Sequence, residues 1–104
     1  MAQVVWTVEA RRWLQEIYDY IAADNEEAAY RTVLAIHERA EILLTFPEIG
    51  YRHRARPDVR VVLYGHYRIA YLVTPARDVE ILGVFHGALD IGRYLTSRAT
   101  DPRA

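Results

Sequence analysis

The feature that most constrains this chain is a change of period. Two helical apolar stripes are separated by a two-residue break and followed by strands of two-residue alternation. Ala10, Trp13, Leu14, Ile17 and Ile21 fall at i, i+3, i+4, i+7 and i+11, one face of a helix. Thr7 suits its N-cap, and Glu9 suits the positive end of its dipole. Asp24-Asn25 breaks that helix and caps the next, with Glu26 and Glu27 in the new first turn. Ala29, Val33, Ile36, Ala40 and Leu43 then step by four and three, a second helix of about five turns. Pro47 ends it by forcing Phe46 out of helical geometry, and Gly50 completes the turn. So short a link between two amphipathic helices predicts an antiparallel helical hairpin.

The remaining segments read as strands. Val4-Val5-Trp6 is a short apolar run before Thr7. A basic stretch, Arg52, His53, Arg54, Arg56 and Pro57, reads as irregular. Val59–Tyr64 is rich in β-branched residues, Gly65 marks a tight turn, and Tyr67–Val73 returns. Pro75-Ala76-Arg77-Asp78 makes a second turn before Val79–His86. Three strands on short turns form an antiparallel meander. A last helix from about Ala88 to Ser97, with Ile91 and Leu95 inward, and a disordered tail over Ala99–Ala104 complete the reading. The order is β-α-α-β-β-β-α. The hairpin must bury its stripe, and one face of the sheet is the large surface available, so a two-layer α+β domain over residues 1–98 is expected.

Composition narrows the function classes. At 104 residues the chain fits one core, and 52% hydrophobic with 26% charged residues is ordinary for a globular domain. No apolar run is long enough to span a bilayer. The opening Met1–Trp6 has no basic residue ahead of an apolar stretch, so no secretory leader and a cytoplasmic address are expected. No cysteine is present for disulfides or thiolate metal sites, and no His or acid spacing suggests a metal; no cofactor is expected. Net charge is −1, but it is divided: residues 1–50 carry −5 and residues 51–104 carry +4. An anionic partner would meet the second half. All 13 basic residues are Arg, which GC-rich codon usage explains better than phosphate grip does.

Several local motifs, in order, resemble the RelE/ParE toxin superfamily from about Val4 to Leu95. They are Ile17-Tyr18-Asp19-Tyr20-Ile21 in the first helix and Leu43-Leu44…Phe46-Pro47-Glu48-Ile49-Gly50 at the end of the second. Val59-Arg60, Tyr67-Arg68-Ile69-Ala70-Tyr71 and Val84-Phe85-His86-Gly87-Ala88 come next, in the strands. The resemblance implies the toxin of a type II toxin–antitoxin pair, bound by a cognate antitoxin in a hetero-oligomer, with no membrane partner. It also implies a cellular target, and there the superfamily divides. ParE-like members inhibit DNA gyrase and halt replication, a plasmid-stabilisation activity. RelE-like members cleave mRNA on the ribosome. A descendant that binds antitoxin but attacks nothing is a third possibility.

Metal-independent cleavage through the 2′-OH needs an acid, a base and cations for the phosphate. Arg68 and His86 match positions that carry activity in some RNA-cleaving relatives, and both are expected to reach one edge of the sheet. Arg60 is a weaker cation candidate and Tyr94 a weaker proton donor. Ordinary roles compete with each. A His that ends a strand often caps backbone or packs, Glu80 is an available partner for Arg68, and Tyr94 suits packing. Tyr18, Tyr20 and Tyr30 lie in the acidic helical half and suit packing or partner contacts. The mild negative charge, the lack of Lys, and the ending His86–Leu95 favour the ParE branch. Leu89 departs from the Arg that many relatives carry there, which leaves the working surface open.

Overall fold

The computed structural model describes residues 1–86. In order these form β1 (Val4–Trp6), α1 (Val8–Ala22), α2 (Glu26–Thr45), β2 (Tyr51–Arg52), β3 (Arg60–Tyr64), β4 (Tyr67–Val73) and β5 (Val79–His86). The helix expected over residues 88–97 and the tail expected over 99–104 lie outside the described residues.

Both helices begin where their caps dictate. The Thr7 hydroxyl accepts from the Ala10 N–H at 3.1 Å and donates to the Ile81 carbonyl at 2.7 Å. One side chain therefore caps α1 and ties its start to β5. The Asn25 side chain accepts from the Ala28 N–H at 3.0 Å and starts α2. Phe46, with φ −125° and ψ 69°, has left helical geometry ahead of Pro47.

The five strands run in the order β1-β5-β4-β3-β2. The meander β3-β4-β5 is antiparallel as its turns require. β1 lies on the far side of β5 and parallel to it, with Val4 opposite Val79 and Trp6 opposite Ile81. The helical hairpin supplies part of the long crossover that a parallel neighbour requires. The basic stretch is not wholly irregular. Tyr51 and Arg52 pair with Val61 and Arg60 as the edge strand β2. Both residues are exposed, so no burial alternation announced this strand.

The hairpin packs on one face of the sheet, which gives the expected α+β fold. Ala10, Leu14, Ile36, Ala40 and Leu43 meet Val62, Ile69, Tyr71, Val79, Ile81 and Val84. Full burial of each Leu, Ile or Val contributes about 1.5–3 kcal/mol over leaving it in water. Ala10 and Ala40, small enough for close helix packing, are fully buried in this core. A second cluster, Val59, Ala70, Leu82 and Phe85, includes the other face of the sheet, and Trp13 packs against both clusters. Its ring centroid lies 4.9 Å from that of Phe85.

The ladder between β4 and β5 is broken at one point. Ala70 faces Gly83, but its neighbour Tyr71 faces Ile81, so Leu82 is an extra residue in β5. Such a bulge reverses which residues point to which face beyond it.

Candidate functional site

The segment after α2 is fixed to the sheet by two side chains. The Tyr71 hydroxyl accepts from the Gly50 N–H at 3.0 Å and donates to the Pro47 carbonyl at 2.9 Å. A Cβ on Gly50 would lie 2.7 Å from that oxygen and 2.8 Å from the Val61 carbonyl oxygen, so only glycine fits. Burial pushes the Tyr71 phenol above its usual range, and the Gly50 bond pulls the other way. Arg60 reinforces the same turn, donating to the Gly50 carbonyl at 2.8 Å and the Glu48 carbonyl at 3.3 Å. The motif pieces ending in Gly50, Arg60 and Tyr71 are thus three parts of one staple. Arg60, a cation candidate from the sequence, is occupied in holding backbone.

Arg68 and His86 occupy the same end of the sheet but not the same face. Arg68 stands opposite Leu63 and Phe85, while Tyr67 stands opposite Tyr64 and His86. Adjacent strand positions point to opposite faces, so the sheet lies between the two side chains. Tyr64 and Tyr67 pack against the helix-side core, which puts His86 on that side and half-buried Arg68 on the other. Nor does Glu80 pair with Arg68. It stands opposite Leu72, four residues along β4 and roughly 13 Å away at the rise of a strand. Tyr94 lies outside the described residues.

The basic stretch is largely bonded to itself. Arg52 donates to the Pro57 carbonyl at 2.8 Å. Arg56 grips Asp58 through both carboxylate oxygens at 3.2 and 3.0 Å, which holds that carboxyl below its usual range. With Arg60 on the turn, three cations that the sequence offered to an anionic partner serve the fold.

Among the described residues, two concave features flank α1. The larger, about 710 Å³, runs beside the outer edge of β1 and includes Trp6, Arg11, Leu14, Tyr18, Val33 and His37. His37 lies against Trp6, their ring centroids 4.6 Å apart. The smaller, about 390 Å³, lies between α1 and the ends of β4 and β5. Its helix wall is Trp13, Glu16, Ile17 and Tyr20, and its strand wall is Tyr67, Val84 and His86. The His86 ring stacks 6.2 Å from that of His66 and meets Tyr67 edge-on at 5.9 Å. Burial, with Tyr20 nearby, raises the Tyr67 phenol above its usual range. Sequence reasoning did not assemble this pocket. The helix wall keeps i, i+3, i+4 and i+7 spacing, but that pattern first reads as core. Among the described residues no group of three or more His, Cys, Asp or Glu is placed to hold a metal ion.

Comparison with known proteins agrees with this architecture. The family described as "ParE toxin of type II toxin-antitoxin system, parDE" matches residues 4–91. Toxin RelE2 of Caulobacter vibrioides is 37% identical over 89 residues, covering 85% of this chain and 98% of its own. Among solved structures, a chain of the chromosomal ParDE toxin–antitoxin system from P. aeruginosa superposes with a TM-score of 0.68 at 24% identity, covering 83% of this chain and 96% of that one. A chain of the RelBE2 toxin–antitoxin complex from Mycobacterium tuberculosis gives 0.64 at 26%, covering 82% and 96%. The fold and these matches define a toxin domain of the RelE/ParE superfamily. The chain belongs to the ParE toxin family of type II toxin–antitoxin systems.

Proposed function

We propose that this toxin acts in the cytoplasm on DNA gyrase, stopping replication, and that a cognate antitoxin neutralises it. The observation that carries the reading is the opposed placement of Arg68 and His86. Proton transfer and phosphate stabilisation at one scissile bond require both groups on one face. Three further points support it. Arg60 is occupied by the turn carbonyls of Glu48 and Gly50. The net charge is −1, poor for entry into an RNA-lined site. The family match is to ParE toxins. A toxin of this kind works by binding, with no catalysis of its own. On this reading the antitoxin binds the groove beside β1, a choice supported by the outer strand edge, Trp6 and Tyr18, which offer backbone and apolar contacts to an extended segment.

A second reading, ribosome-dependent mRNA cleavage, draws support from the likeness to a relative named Toxin RelE2. Inducing the chain alone in bacteria and pulse-labelling DNA and protein synthesis separates the two. An early fall in DNA synthesis, with inhibition of purified gyrase, is the expected result. An early fall in protein synthesis, with mRNA cleavage in a cell-free translation system, overturns the gyrase reading. If neither falls, the chain has lost toxicity and the reading fails.

A further inference from the structure

The pocket between α1 and the ends of β4 and β5 has no part in the staple, and the wall it shares with the core leaves its mouth unexplained. Trp13 and Tyr20 from α1 and Tyr67 from β4 line it, with the His86 ring beside Tyr67 and Glu16 on the helix wall. Tyr20 is 85% exposed, so this large ring does little for the core. Tyr20 on the helix wall and Tyr67 on the strand wall line the same pocket. Among the described residues Glu16 has no hydrogen bond or ion pair.

We infer that this pocket binds an arginine side chain presented by a partner protein. Aromatic faces attract cations through their negative π-surface, and a planar guanidinium stacks on such faces while donating to a carboxylate. Glu16 supplies that carboxylate, and the hairpin around it is acidic, its residues 8–45 carrying eight carboxylates against four Arg. A nucleotide fits the rings less well. Among the described residues no Arg lines the pocket to meet a phosphate, His86 is the one basic side chain there, and the nearby Arg68 points to the opposite face of the sheet. At about 390 Å³ the space takes a guanidinium together with its aliphatic stem, which Ile17 and Val84 contact. A compact free cation would leave those apolar residues unmatched. Arginine capture here is compatible with either gyrase or the ribosome as the cellular target.

The test is a titration of the full-length protein with the peptide acetyl-Gly-Arg-Gly-amide, monitored by NMR at the indole N–H signals of Trp6 and Trp13. The expected result is a saturable shift of Trp13 with Trp6 unmoved. The neutral citrulline peptide should bind at least tenfold more weakly. Glu16→Gln and Tyr20→Leu, both exposed positions that spare the core, should each weaken binding at least threefold. Equal binding of the citrulline peptide, no shift of Trp13, or unchanged affinity in both variants overturns the proposal. So does tighter binding of adenosine monophosphate, which would make the pocket a nucleotide site, or of choline, which would make it a site for small free cations.

Discussion

Gly50→Ala is the sharpest probe of the staple. Glycine-to-alanine changes at ordinary backbone angles stabilise by about 0.4–1 kcal/mol, by restricting the unfolded chain. Gly50 is not among the positive-φ residues, so that gain is available and any loss must be steric. The new Cβ would lie 2.7 Å from Tyr71 Oη, 2.9 Å from Tyr71 Cε1 and 2.8 Å from the Val61 carbonyl oxygen. Neither neighbour yields easily, because the Tyr71 ring is fully buried and Val61 belongs to a strand paired on both sides. Overpacking of this kind costs about 1–3 kcal/mol, and losing a buried hydrogen bond leaves a further cost of about 1–3 kcal/mol. We expect a net loss of about 3 kcal/mol, a large share of the roughly 5–15 kcal/mol that holds a small domain folded. Urea unfolding monitored by circular dichroism measures it. Tyr71→Phe removes the hydroxyl that is both nearest clash and lost partner. In that background Gly50→Ala should therefore cost at least about 1 kcal/mol less. A cost below about 0.5 kcal/mol in the parent, or the same cost in both backgrounds, refutes the steric account.

Other variants each probe a single contact. Thr7→Ala removes both the cap of α1 and the bond to the Ile81 carbonyl, and should cost about 1–2 kcal/mol in the same urea assay. Arg60→Met should lose about 1–2 kcal/mol through the two turn carbonyls it leaves, whereas Arg68→Met should fall within about 0.5 kcal/mol of the parent. If gyrase is the target, an Arg68→Ala, His86→Ala variant that folds normally should retain toxicity on induction; its complete loss together with loss of mRNA cleavage would support the ribosomal reading. The raised Tyr71 and Tyr67 phenols stay protonated in the folded protein after those of the unfolded chain ionise. Stability is thus intact below the unfolded phenol value near 10 and falls as pH rises through the folded values. Tyr71→Phe should flatten that alkaline fall when melting temperature is measured from about pH 8 to 11.

The sequence made the helices and the meander legible for a simple reason. Caps, apolar stripes and turn residues are local, and each signal lies inside the element it defines. Thr7, Asn25 and Pro47 mark the helix limits, and Gly65 and Pro75 the turns. The parallel pairing of β1 with β5 was not local in this sense. Val4 meets Val79 across 75 residues, and three apolar residues carry no record of their neighbour. The staple was visible only as motif pieces. Nothing in the spacing of Gly50, Arg60 and Tyr71 says that a phenol and a guanidinium close on one turn.

The candidate site turned on parity, and parity turned on one residue. From Tyr71 to Val73, partners in β4 and β5 keep the register that pairs Val73 with Val79. Continued without interruption, that register would set Arg68 opposite Val84 and leave His86 two residues beyond it, on the same face as Arg68. The extra Leu82 shifts every later pair by one, so Arg68 meets Phe85 and His86 meets Tyr67. A single bulged residue thus separates two groups that would otherwise share a surface. The sequence carries a trace of it in Gly83, since an isolated glycine inside a strand often marks a bulge. The Phe85 ring folds over that glycine, with its Cζ 2.5 Å from where a Cβ would stand. The trace was masked because Ile81-Leu82-Gly83-Val84-Phe85 is buried throughout. Without polar residues to count on one face, alternation could not reveal the slip. The same slip turns His86 towards Tyr67 and away from Arg68, so the aromatic pocket and the parting of the two catalytic candidates have one structural cause.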